Sequence, residues 1–457
     1  MDQNHLGKFL KLSSINSPVI EYQLFNFAKE SLKQIFLNSK CGEIINGKEF
    51  KDKPSNSDLL GTKNIYPLAC VYKKAKPKIK TENNTFSWKE KNIKKKIDIL
   101  SNAYMTLSIL TLADYYNKII KSEKKKKEIV KFYVSSAKCQ LNYYLKNFRN
   151  ELGLFVNKHH IENSEINTEK FESLNNNFDF SAQAYIMICF KKCSEMLKEE
   201  SPYKLPFLNF SNEMERMFID FKNDILIQNP QKTIDLLNAL QIYINLNLNI
   251  NDELSELILL IIDNFFKINS ISSLGTYNKI LLYNTLSTIK SNSFDNLNKN
   301  QLEIKQLISE CIWELHDIFT DPNFELNEIT NSEDLISYQI YLSNTNNKKS
   351  LDFYNSILIP SKLFSCFPNI PKKHESEKYF NFEHTEQSKI PDIFFKPSCY
   401  KTMDEINLTP IIDRDIYFSY EKNKFSNPKY KFNSLVNMKL IFLILYSFKD
   451  NIIKTVK

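Results

Sequence analysis

The chain has 457 residues and only six glycines, where ordinary usage of about 7% would supply roughly thirty. Glycine provides the φ > 0 turns and close backbone approaches that phosphate-cradling loops need. Gly7, Gly42, Gly47, Gly61, Gly153 and Gly275 fall in neither a G-x-G-x-x-G nor a G-x-x-x-x-G-K-[ST] pattern, so the dinucleotide fingerprint and the Walker A loop are excluded and no cofactor is expected.

Lys, Asn and Ile are favoured throughout, as an AT-rich genome would impose, and composition is discounted accordingly as a functional signal. Basic residues outnumber acidic ones by 61 to 53, and residues 73–96, with ten lysines and two glutamates, carry the whole excess of +8. Arginine occurs at 149, 216 and 414 alone. A nucleic-acid-binding domain would be expected to add arginines that fork onto phosphate or guanine, so nucleic acid is not the favoured partner.

In chain order, Met1 to Lys11 holds no apolar run of seven or more and shows no secretory signal. Apolar spacing of three and four predicts helices near 19–38, 93–121, 126–149, 180–199, 211–228, 231–247, 252–268, 275–291, 300–319, 332–343 and 433–453. The 93–121 segment is apolar on nearly all sides and is expected inside the fold. Asn229 followed by Pro230 reads as a helix cap with proline in the first turn. Residues 40–90 and 360–432 break the pattern and are expected to be irregular, the second rich in proline and aromatic residues. The longest apolar stretch, Leu440 to Tyr446, is far short of the about 20 residues a bilayer requires, so no membrane span is expected. Eight cysteines without a C-x-x-C pair read as reduced core residues of a cytoplasmic protein.

The fold class is therefore all-α, one domain over 1–457 built of helical hairpins with short connections. Within 97–196 a core helix with Ala103-Tyr104 and Leu107 to Leu112 precedes a helix ending in Tyr143-Tyr144-Leu145. Glu151-Leu152-Gly153-Leu154-Phe155 follows, then Asp179-Phe180-Ser181-Ala182-Gln183-Ala184 opens another helix. This order resembles the six-hairpin glycosidase-like (α/α) toroid proteins, in which a "Gly-Leu-Phe" turn follows an outer helix and an "Asp-x-x-x-Gln-Ala" step opens the next inner one. The resemblance implies an (α/α)6-type toroid whose inner-helix N-termini surround a cavity accepting a sugar or oligosaccharide.

Paired carboxylates are the groups glycoside hydrolysis uses. On that reading Asp179, with Asp413 or Asp415, would act as acid and base, and Gln183, Arg414 and Tyr417 would contact substrate. Each has a plainer role: Asp179 as an N-cap, Gln183 as a buried link between helices, Glu151 as a solvated residue, and Asp413-Arg414-Asp415 as an internal ion pair in which arginine supplies planar geometry. His159-His160-x-Glu162 and Glu383-His384-x-Glu386 lack the three or four well-spaced ligands zinc requires, and His316 reads as a packed helix residue, so no metal site is expected. Lys73, Lys74, Lys94, Lys95 and Lys96 with Trp88 and Phe86 interleave cations with stacking rings, a pattern suited to a polyanion; the plainer reading is a solvated basic loop, as for Lys124 to Lys127. Two functions follow: a carbohydrate-binding or glycoside-hydrolase-like protein, or a non-catalytic helical scaffold that binds a protein or polyanion.

Overall fold

Helices occupy the segments where apolar residues recur every three to four positions. The computed structural model describes residues 17–39, 41–45, 67–75, 79–82, 85–88, 93–120, 123–162, 169–174, 178–246, 252–291, 299–320, 331–368, 408–413, 418–419, 424–426 and 431–456. Among them are thirteen α-helices: α1 (Ser17–Asn38), α2 (Ile99–Ile119), α3 (Glu123–Asn147), α4 (Phe180–Met196), α5 (Lys204–Asp220), α6 (Lys222–Leu226), α7 (Pro230–Leu246), α8 (Asp252–Ile268), α9 (Thr276–Ser291), α10 (Lys299–Thr320), α11 (Ser332–Thr345), α12 (Asn347–Phe353) and α13 (Ser434–Val456). Helix predominance agrees with the apolar spacing. The segment expected as one helix over 211–228 is broken at Phe221 into α5 and α6, and α12 is an addition. No helix among the described residues is long and apolar enough to cross a membrane.

The lysine-rich stretch departs from expectation. Instead of an irregular 40–90 segment running into a helix at 93, the chain forms β1 (Gly42–Ile44), β2 (Leu68–Ala75), β3 (Ile79–Glu82), β4 (Thr85–Trp88) and β5 (Ile93–Ile97). With β6 (Lys158–Glu162) and β7 (Glu169–Ser173) these build an antiparallel sheet of order β1-β2-β5-β6-β7, while β3 and β4 form their own hairpin. The 360–432 segment contributes β8 (Phe364–Pro368) paired with β9 (Leu408–Ile412), and β10 (Phe418–Ser419) paired with β11 (Lys424–Phe425). A last short strand, β12 (Phe432–Asn433), adds to β2. Local periodicity does not report these pairs, because the partner that satisfies each strand's backbone lies far away in sequence.

The described residues gather into two compact units, 1–176 with 342–457, and 177–341. In the first, α2 packs against α3 and α13, and α13 also packs on α1. α2 is buried from Ile99 through Ala113 apart from Leu100, as an element walled in on several sides must be. Two asparagines repeat one device. Asn102, four residues after the Asp98 cap of α2, accepts from the Val71 N–H at 2.8 Å and donates to the Val71 and Asp98 carbonyls. Asn437, four residues after Asn433, accepts from the Ile412 N–H at 2.8 Å and donates to the Ile412 and Asn433 carbonyls. Gln140 of α3 donates to the Leu68 carbonyl at 2.8 Å, so β2 is held by side chains from two helices. After α3 the chain turns at Gly153, whose φ of 81° is left-handed and whose carbonyl accepts from Arg149 Nε at 2.7 Å.

In the second unit α4, α7 and α9 form a row of neighbours, and α5, α8 and α10 pack along them, each hairpin contributing one helix to each row. The first row is buried over most of its surface, whereas α5, α8 and α10 each show an apolar stripe and a polar face. Asn238 of α7 donates to the Tyr185 hydroxyl of α4 at 2.6 Å and accepts from Thr285 of α9 at 3.2 Å, which ties the row together. Asp334 and Asn331 cap α11 reciprocally, and the second oxygen of Asp334 accepts from the Tyr277 N–H at the start of α9.

Candidate polyanion-binding face

The sheet sorts the lysine run by exposure. In β5, Lys94 and Lys96 are exposed, Ile93 and Lys95 are half-buried and Ile97 is buried. Lys74 of β2 is exposed and stands directly opposite Lys94; Lys96 stands opposite His159, and His159 opposite Glu172. Lys74, Lys94 and Lys96 are thus the exposed lysines of these strands, with the register shifting between the Tyr72–Ile97 and Lys74–Lys94 pairs, and the half-buried His159 and exposed Glu172 lie across from Lys96. Lys95 is half-buried, and Ile97, Lys158 and His160 are buried. Lys73 is half-buried, and its carbonyl accepts from Ser434 of α13 at 3.3 Å. Trp88 lies in β4 opposite Ile79; its side chain, like that of Phe86, is outside the described residues.

Two features strengthen the positive potential of this face. Like charges directly opposite on neighbouring strands repel, and Lys74 and Lys94 are such a pair without an ion-pair partner among the described residues. β5 runs into the N-terminus of α2, and β12, paired to Lys74 through Asn433, runs into that of α13. Helix N-termini carry partial positive charge. The strands bearing the lysines therefore adjoin two such ends, that of α2 already capped by the Asp98 carboxylate. Lysines act as point charges and offer no planar fork, so they recognise charge density and leave base identity unread.

The opposite face of β6 is occupied differently. Burial holds the Lys158 ammonium below its ordinary pKa, and it donates to the Arg149 carbonyl at 3.1 Å and to Ser173 at 2.9 Å. His160 packs against Phe171 and lies 3.9 Å from Glu43, which also accepts from the Tyr72 hydroxyl. Strand alternation puts His159 and His160 on opposite faces, so the adjacent histidines do not converge on one point. Among the described residues no three His, Cys, Asp or Glu side chains are grouped to hold a metal ion. The Glu162 side chain and Glu383-His384-x-Glu386 lie outside the described residues.

Of the residues considered for glycoside chemistry, Asp179 is the N-cap of α4. It accepts from the Ser181 and Ala182 N–H groups and the Ser181 hydroxyl, and pairs with Lys232 at 3.1 Å. Burial pushes its carboxyl up, but the bonds from Ser181, Lys232 and Ala182, with the Lys232 charge, together bring it below the ordinary value. Gln183 is buried in the same helix. Asp413 belongs to the other unit, is 1% exposed, and its N–H donates to the Leu363 carbonyl at 2.8 Å. Arg414, Asp415 and Tyr417 lie outside the described residues. Glu151 is exposed in the turn before Gly153, and His316 is bonded to Tyr341 at 3.0 Å and stacked on Tyr283.

The Asp179 geometry has a pH consequence. A carboxyl whose folded-state pKa lies below its unfolded value stabilises the fold above the unfolded pKa and loses that contribution as pH falls through the folded one. Denaturant midpoints of the native chain are expected to fall as pH drops below about 4. In Asp179→Asn this acid-side loss is smaller, and Asp179→Ala costs about 1 kcal/mol at neutral pH through the missing cap. Urea titrations at several pH values measure both.

The sequence-legible part of the lysine face was its composition. The opposition of Lys74 and Lys94, and the half-burial of Lys95, emerge only from the fold. Compared with protein-family models, with curated proteins and with solved structures, the chain matches none.

Proposed function

We propose that the protein is a non-catalytic helical scaffold that holds an acidic polymer, one bearing closely spaced phosphate or similar groups, against the exposed face of its sheet. The observation that carries this reading is the directly opposed, unpaired Lys74 and Lys94 with the exposed Lys96 two residues along the same strand. Inorganic polyphosphate is the simplest probe. Its affinity should fall with salt at a log–log slope of about −2, the value for three neutralised charges on a single-stranded polyanion. No binding, or affinity indifferent to salt, contradicts the proposal.

A carbohydrate-binding (α/α) toroid is the second reading. It is supported by the two rows of hairpin helices around α4, α7 and α9, by the left-handed Gly153 and by Asp179 at the start of α4. On this reading Asp179, held anionic, serves as base or hydrogen-bond acceptor for a sugar hydroxyl. A thermal-shift screen with mono- and oligosaccharides should raise the melting temperature for at least one sugar, and Asp179→Asn should diminish that shift. Uniformly unchanged melting temperatures would remove this reading and leave the first standing.

A further inference from the structure

We propose that the solvent-facing side of α10 is a docking surface for a lysine- or arginine-rich peptide segment of another protein. Trp313, one of two tryptophans in the chain, is 66% exposed on this helix, although tryptophan is highly buried on average. Around it on the exposed side stand Glu310 three residues before, Glu314 beside it and Asp317 four residues after, with Glu303 and the exposed Leu302 toward the helix start. Residues three and four apart on a helix are neighbours, so Glu310 and Asp317 flank Trp313 one turn to either side, and Glu314 and Glu303 extend the same acidic side of the helix. None of the four acids pairs with a cation among the described residues. Gln306 donates to Glu310 at 2.9 Å and orients its carboxylate.

Burial, with the charges of Glu314 and Glu310, pushes the Cys311 thiol up to about 12. Ile308, Cys311, Leu315 and Phe319 form the apolar stripe that docks α10, so Trp313 is not needed for packing. An exposed indole flanked by unpaired carboxylates is complementary to one kind of ligand: a cation that lies on the ring face while its neighbours pair with the acids. A chain of lysines or arginines offers that repeat, and tryptophan is the residue type most enriched where binding energy concentrates.

The test titrates the full chain at low salt with a deca-lysine peptide by calorimetry, with sedimentation in parallel. Trp313→Ala should weaken binding about two- to fivefold, and Trp313→Phe should recover part of the loss. Glu310→Gln, Glu314→Gln and Asp317→Asn combined should abolish binding. These positions are exposed, so circular dichroism and the urea midpoint should match the parent chain. Equal affinity in Trp313→Ala overturns the proposal. So does low-salt self-association that Trp313→Ala removes, because the occupant is then a second copy of this chain. Polyphosphate binding is unaffected by these variants, which separates this surface from the lysine face.

Discussion

Replacing Lys74, Lys94 and Lys96 together by glutamine lowers affinity for polyphosphate roughly a hundredfold near 0.1 M salt while leaving the fold at least as stable. The first half follows from counterion release: three fewer neutralised charges flatten the salt dependence by about two log units per decade, which vanishes by about 1 M salt and amounts to two decades at 0.1 M. The second half follows from strand register. Lys74 and Lys94 face each other across β2 and β5, and removing a directly opposed like-charge pair relieves about 0.2–1 kcal/mol. Binding and stability therefore move in opposite directions, which loss of folding cannot imitate. Lys95, half-buried between the exposed Lys94 and Lys96, supplies the control: Lys95→Gln should leave the salt slope nearly unchanged. Fluorescence anisotropy across a salt series, paired with urea unfolding, reads both quantities.

The largest loss of stability is expected at the two strand-holding asparagines. Asn102→Ala and Asn437→Ala each strip a buried strand residue, Val71 or Ile412, of side-chain partners for both its N–H and its C=O. Leaving buried polar groups unpaired costs about 1–3 kcal/mol apiece, so each variant should lose about 2–4 kcal/mol. Asn102→Asp is the sharper test. It keeps an acceptor for the Val71 N–H but turns the donor into a second oxygen facing the Val71 and Asp98 carbonyls, and should be no better than alanine. Because Asn102 anchors the strand that presents Lys74, its alanine variant should also weaken polyphosphate binding, in contrast to Asn437→Ala, which acts on β9.

The helices were legible because their burial is written in local spacing. α7 begins at Pro230 after Asn229, whose side chain accepts from the Lys232 N–H at 3.0 Å, as the Asn-Pro step indicated. Asp98 and Asp179 both cap helices. The lysine-rich strands were not legible for an equally physical reason. In β5 a lysine occupies three consecutive positions, so the alternation between faces leaves no apolar–polar signature until Ile97. The β12 to β2 pairing joins residues from opposite ends of the chain, which no window of local sequence contains.

The chain's scarcity of glycine, its spacing of apolar residues and its cap residues determined by themselves that the protein would be built mainly of helical hairpins without a glycine-rich nucleotide loop, since these depend on backbone freedom and on neighbours a few residues apart. Which lysines share a face was decided by tertiary structure. Composition placed ten lysines between residues 73 and 96, but charge acts through space. Only antiparallel pairing of β2 with β5 set Lys74 opposite Lys94, and only the fold left Lys96 exposed and Lys95 half-buried.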